Sequence, residues 1–442
     1  MSTITKSLDI HLTADEMPRQ WYNFMKDLPE ALPPTLNHET EVCTSQLDIS
    51  HKICPHALLQ QDRWDSEWCD IPESVLENLI RIGRPTPLRR AYNLESYLGT
   101  PAKIYFKRED TLLTGSFKLN TAIAQAYYAK QEGFTGVVSE TGAGQWGMAL
   151  SLASSLYDLD CKIFMAKCSL EQKPYKRMYG AMFDCKFSAS PGNDTEFGRT
   201  LLKSNPNHPG DIGTAISEAI EYALAHPDKA YLAGSNKPHV LMHQTLLGLE
   251  VRKQLEKVND FPDELIACVS GGSNFGGLIL PFLKDRLKNK NAIRFLAAES
   301  SAAPRLTQGT YDYDYSDYAG YTPKTMSYTM GHDFIPDPIH VGGLRQHNGS
   351  PIIGLLRNKG LVDAQAFNEV EAFKAARLFL NTEGVLVAPE SAHAIASAIS
   401  SAVQCQRTKT KKTIVVLCSG SGVMDLEGYQ ENLDQTSSFR II

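Results

Sequence analysis

The sequence predicts an α/β protein built on mostly parallel sheet with helices packed against it. Three observations carry this. From Arg84 onward, short β-branched or aromatic runs alternate with longer amphipathic stretches, a rhythm kept almost to the end. Several of the short runs end directly in Gly- or Ser-rich turns that open a helix-like stretch. The 442 residues, 42% hydrophobic and 21% charged, suffice for a substantial core and for two or three domains.

The elements follow in order. Residues 1 to about 80 are rich in Trp, Pro and His with weak periodicity, and either wrap the main body or contact a partner subunit. Strands are expected at Ile104 to Lys107, Gly136 to Ser139, Lys162 to Ala166, Glu264 to Ser270, Ile293 to Ala298 and Thr413 to Ser419. A helix of good formers is expected from Thr121 to Glu132. The Tyr/Asp stretch Tyr311 to Tyr318 reads as a solvated loop, with a mobile lid as the alternative, and Arg407 to Lys412 as a solvated turn. In open α/β sheets ligands bind beyond the carboxyl ends of the strands, so the turns that follow them should converge on one site.

The bulk properties narrow the function classes. A net charge of -6 and a pI near 6.1 leave no electrostatic footprint for nucleic acid or an anionic membrane, which points to small-molecule partners. Nine scattered cysteines, with no C-x-x-C and no zinc-site spacing, suggest reduced thiols. The first residues lack a secretory pattern, and no apolar run of about 18 residues appears. A cytoplasmic protein is expected, with a removed transit peptide left open.

Four constellations carry chemistry. Thr114-Gly115-Ser116-Phe117-Lys118-Leu119-Asn120 leads into the helix, and a lysine at that helix's positive end has a destabilised ammonium form, as covalent capture of an aldehyde needs. Ser270-Gly271-Gly272-Ser273-Asn274 follows an apolar run and opens another helix. It is either an anion cradle of backbone amides or a plain tight turn, and it matches neither a P-loop nor G-x-G-x-x-G. Glu140 ends a strand beside Thr141-Gly142-Ala143-Gly144-Gln145-Trp146. Those amides suit a substrate carboxylate, and Glu140, if shielded from water, is an acid or base; otherwise it caps a helix. Cys418-Ser419-Gly420 ends the last strand and either places a hydroxyl where a ring nitrogen can be met or is a plain glycine turn.

These segments, with Gly83-Arg84-Pro85-Thr86-Pro87-Leu88, His340-Val341-Gly342-Gly343-Leu344-Arg345 and Pro389-Glu390-Ser391-Ala392-His393-Ala394, resemble the tryptophan synthase β family, in its longer, N-terminally extended second type. The resemblance runs from about Gly83 to Gly428. It implies two three-layer α/β domains with mostly parallel sheets, the fold of type II pyridoxal-phosphate enzymes, with the active site between them. Residues 117–240 would carry the Schiff-base lysine, 84–116 with 241–430 the phosphate cradle, 1–83 an N-terminal extension and 431–442 a tail.

The resemblance further implies that Lys118 holds pyridoxal 5′-phosphate as a Schiff base, flanked by Phe117 and Asn120. Ser270, Gly271, Gly272, Ser273 and Asn274 would bind its phosphate, and Ser419, with Glu390 nearby, its ring nitrogen. Thr141 through Gln145 would hold the amino-acid carboxylate and Glu140 would face the second substrate. Phe117 and Trp146 are either an apolar wall or core. The implied reaction is β-replacement, in which serine or phosphoserine passes through an aminoacrylate and takes up indole to give tryptophan. The alternatives are another nucleophile or a serine/threonine deaminase. A homodimer is implied, while an α-subunit partner and a monovalent cation on backbone carbonyls stay open. The sequence departs from the family at Phe117, where a His is usual, at Ser270, where a glycine is usual, and at Cys418 and Ser421.

Overall fold

The computed structural model describes residues 8–37, 42–43, 48–289 and 293–433. The first seven residues and the tail beyond Leu433 lie outside the described residues. Four parallel strands form one sheet, in the order Lys186–Ser190, Asp160–Ala166, Gly136–Thr141, Lys229–Tyr231. A seven-stranded sheet runs Asp9–Ile10, Leu88–Arg90, Lys103–Arg108, Thr413–Cys418, Glu264–Cys268, Arg294–Ser300, Val362–Phe367. Its last five strands are mutually parallel, and the first two join antiparallel at one edge.

All six expected strands are present, each within two residues of the expected ends. Gly136–Thr141, Glu264–Cys268 and Thr413–Cys418 are buried at every position, because helices cover both faces of a parallel sheet, and so residues 265–268 and 414–418 appear in sequence as unbroken apolar runs. The strands left unpredicted break that rule. Lys186–Ser190 and Val362–Phe367 are edge strands, half-buried and rich in polar residues, and Lys229–Tyr231 has only three residues.

The Tyr/Asp stretch is not a solvated loop. Thr310–Asp314 is a strand paired antiparallel with Thr325–Thr329, and its alternation is the period-2 signal of a strand. Beyond it Asp317 is fully buried, accepting from the Ser217 hydroxyl at 3.0 Å, the amides of Tyr321 and Thr322 at 2.9 Å and the Thr322 hydroxyl at 2.7 Å. The described residues before Arg84 pack on the main body. Asp9–Ile10 extends the large sheet, Trp21 and Phe24 are buried, and Trp21 lies 4.4 Å from His243, ring to ring. Among the described residues no helix is long and apolar enough to cross a membrane.

A buried ionic cluster ties the two halves together. The ammonium groups of Lys173 and Lys176, next to the four-stranded sheet, reach one oxygen of Asp425, beyond the last strand of the other sheet, at 2.6 and 2.7 Å. Burial alone would push the Asp425 carboxyl up, but the two ammonium groups outweigh it and hold it below its ordinary value. Asp425→Ala leaves two buried cations unpaired and is expected to cost about 3–5 kcal/mol of stability at pH 7, read from denaturant unfolding. Because the folded-state pKa is depressed, that contribution is present above the ordinary carboxylate pKa. It is lost as pH falls through the folded value, so the variant and the parent should converge in acid.

Candidate active site

The turns after Gly136–Thr141, Glu264–Cys268 and Thr413–Cys418 open, with the start of the helix Leu119–Gln131, into one cleft, partly open to solvent. It is lined by Phe117, Lys118, Glu140, Thr141, Gly142, Ala143, Gln145, Trp146, Ser270, Gly271, Gly272, Ser273, Asn274, Glu390 and Ser419. Segments as far apart in the chain as Phe117 and Ser419 thus converge, as the strand-end rule requires.

Lys118 occupies the N-cap of its helix. Its amine donates to the Gly234 carbonyl, lies 3.5 Å from Ser273 Oγ and stands 5.0 Å from the centre of the Phe117 ring. Burial pushes this amine down to about 8, against the opposing pull of Glu140. Loss of water, rather than the helix dipole expected from sequence, is the main cause. Glu140 is buried, and its Oε2 accepts the Tyr231 hydroxyl at 2.8 Å. Burial pushes its carboxyl up to about 7, although the Tyr231 hydrogen bond works the other way.

Two expected site residues lie elsewhere. Asn120 is in a buried network behind the cleft, donating to Glu109 at 3.2 Å and Gln244 at 2.9 Å and accepting from Arg84 at 2.9 Å. Two helical residues past Lys118 is about 200° around the axis, so its side chain faces away. Gly144 has φ +92° and backs onto the Lys176 and Met165 side chains, which a Cβ there would meet at 3.0 to 3.1 Å. It shapes the turn without lining the cleft. Trp146 is both wall and core: its indole N–H donates to Ser139 Oγ at 2.7 Å and its ring lies against Gly234.

The turn after Val269 is built for close approach. A Cβ on Gly271 would sit 2.3 Å from Ser235 Cβ, and Gly272, at φ +105°, would meet Ile353 at 2.9 Å. Ser419 Oγ lies 2.7 Å from Ser391 Oγ and 3.6 Å from Cys268 Sγ, and Ser391 Oγ accepts the Gly420 amide at 3.1 Å. The Asn274 side chain donates to Cys268 Sγ at 3.3 Å, leaving its backbone amide for the cradle. Two buried polar atoms on the cleft, Glu390 Oε2 and Gln346 Nε2, have no hydrogen-bond partner among the described residues. A lysine amine brought down to about 8, a glycine turn with no room for side chains and these orphaned atoms make a lining that fits pyridoxal phosphate. Among the described residues no group of three or more His, Cys, Asp or Glu could hold a metal ion.

Sequence reasoning passed over Tyr231, Ser235, Cys268, Gln346 and Ser391. Cys268 was within reach, lying inside a predicted strand just before its glycine turn; Tyr231 and Gln346 were not, since only tertiary folding brings them to their partners.

Residues 80–420 match the family described as pyridoxal-phosphate dependent enzymes. The chain is 48% identical over 425 residues to tryptophan synthase beta chain 2 of Methanothermobacter thermautotrophicus, covering 96% of this chain and 98% of that one. It is 49% identical over 420 residues to the protein of the same name from Thermotoga maritima, covering 95% and 99%. Among solved structures it is similar to maize serine racemase (TM-score 0.56, 21% identity, 82% of this chain and 98% of that one). It is also similar to the processed form of threonine deaminase isoform 2 from Solanum lycopersicum (TM-score 0.61, 18% identity, 93% and 100%). At those identities the two structures speak for the fold alone.

Proposed function

The chain belongs to the tryptophan synthase beta chains of the pyridoxal-phosphate dependent enzymes, and from that premise we propose that its cleft replaces the β-substituent of L-serine, or of its phosphate ester, with indole to give L-tryptophan. The observation that carries the reading is the meeting of two groups in one cleft, an amine brought down to about 8 and a carboxyl brought up to about 7.

When bound, pyridoxal phosphate supplies an electron sink that acidifies the amino acid's Cα and lets the β-substituent leave. The protein's residues do the rest. Gly271 to Asn274 hold the phosphate through backbone amides and the Ser273 hydroxyl. Ser419 meets the ring nitrogen with a hydroxyl, which cannot keep that nitrogen protonated as a carboxylate would. The amides of Gly142, Ala143 and Gln145 grip the substrate carboxylate, and Lys118 removes the Cα proton onto Nζ. Glu140 takes the indole N–H proton onto its carboxylate as C3 attacks. Phe117, Trp146 and Leu344 keep water from the β-carbon.

Partners beyond small molecules belong to the same proposal. Leu113, Tyr175, Met178, Met182 and Val423 are large exposed apolar residues. Leu113 and Val423 line a second opening together with Lys176, Met424 and Gln145, and Gln145 also lines the cleft. Exposed apolar side chains at an opening next to the reaction site suit a docked α chain delivering indole. Two copies of this chain form the working unit. All nine cysteines are free thiols, which agrees with residence in the reducing cytoplasm.

One assay tests the reading. Purified protein with pyridoxal phosphate is given serine, phosphoserine or threonine, with and without indole, and with and without a tryptophan synthase α chain. Tryptophan should form from serine or its phosphate at the expense of indole, with pyruvate a minor product. Release of pyruvate or 2-oxobutyrate while indole stays untouched would make the protein a deaminase instead.

A further inference from the structure

The phosphate turn carries no cation of its own. The charged side chains lining the cleft are Lys118, Glu140 and Glu390, and Lys118 is committed to the aldehyde end. A phosphate held there depends on neutral donors, so each donor aimed at it counts.

Gln346 is 2% exposed and stands on the wall of the cleft beside the turn. The two ends of its amide are in different situations. Oε1 accepts the Ser270 hydroxyl at 3.1 Å, whereas Nε2 is buried and has no partner among the described residues. A Cβ built on Gly271 would lie 3.2 Å from Gln346 Oε1, so this amide packs directly against the first glycine of the turn. Buried amide donors are nearly always satisfied in folded proteins, and one left open at a cleft marks the place where a ligand brings the acceptor.

We propose that Gln346, held in orientation by Ser270, donates its side-chain N–H to the phosphate of the bound cofactor. The inference rests on the reading that the cleft holds pyridoxal phosphate. Of the acceptors that reading brings in, the substrate carboxylate lies at Thr141 to Gln145 and the aldehyde at Lys118. The phosphate oxygens are what remains at this end. The pairing also gives a physical role to the serine that stands here in place of the family's usual glycine. Its hydroxyl fixes which end of the Gln346 amide faces the turn, so Ser270 is a positioning residue and Gln346 a binding residue.

The test is cofactor binding to the full-length apo protein, followed by visible absorbance, together with the ³¹P shift of the bound phosphate. Pyridoxal, which lacks the phosphate, serves as the second probe. Gln346→Leu should weaken pyridoxal phosphate binding by roughly tenfold or more, as expected for a lost hydrogen bond to a charged group, and move the ³¹P signal. It should leave pyridoxal binding unchanged. Ser270→Ala should weaken binding less, and the double variant should be no worse than Gln346→Leu, because the serine acts only through the glutamine. Should Gln346→Leu fail to fold, Ser270→Ala with the same two probes decides the matter. The proposal is overturned if either variant loses pyridoxal and pyridoxal phosphate equally, or if both bind the phosphate form as the parent does. Parent protein that binds neither aldehyde would instead defeat the cofactor reading beneath it.

Discussion

Lys118→Ala should abolish tryptophan formation and remove the visible band that pyridoxal phosphate gains on covalent capture by the protein. The loss should be about 10³-fold or more, since one amine both anchors the aldehyde and moves the Cα proton. Its environment also predicts a pH profile. An ordinary lysine amine titrates near 10.5, and burial among Gly234, Ser273 and Phe117 brings this one down to about 8. The reactive species is the neutral amine, so capture by the apo protein should speed up nearly tenfold per pH unit below 8 and level off above it. Capture that keeps accelerating to pH 10 would show an amine exposed to water. An active Lys118→Ala protein would remove the residue from the mechanism altogether.

The legible part of this protein is the part whose chemistry is local. Central strands such as Thr413–Cys418 are apolar because helices cover both their faces, and the glycine turn at 271–272 is required by a backbone with no room for a side chain; both leave direct marks in sequence. What failed to show depends on distant partners. Asn120 stands beside Lys118 in the chain yet belongs to the Arg84, Glu109 and Gln244 network, because a two-residue step along a helix reverses the direction of the side chain. The Tyr/Asp stretch resembled a polar loop, since nothing local shows that Asp317 is buried under four hydrogen bonds. The helix position of Lys118 was readable, but the larger influence on its amine is the burial that Gly234 and Ser273 help to provide, from more than 110 residues away.

Glu140→Gln is the second large effect, and it separates function from stability by sign. The proton-accepting form of Glu140 is the carboxylate, and burial pushes the group up to about 7. Condensation with indole should therefore rise with pH below 7 and flatten above it in the parent. Glu140→Gln should lose about 10²- to 10⁴-fold of the condensation rate and show no such rise, because an amide cannot take the proton. Loss of the β-substituent, read as pyruvate release without indole, should survive. Stability moves the other way. A carboxyl raised in the folded state binds its proton more tightly there than in the unfolded chain, so ionising it weakens the fold progressively from about pH 4.5 to 7, and the full penalty applies above that. Glutamine keeps the acceptor for Tyr231 and carries no charge, so the variant's Tm should exceed the parent's at pH 8 and match it near pH 4.5. A variant that is less active and also less stable at pH 8 would mean that Glu140 holds the cleft together rather than moving a proton within it.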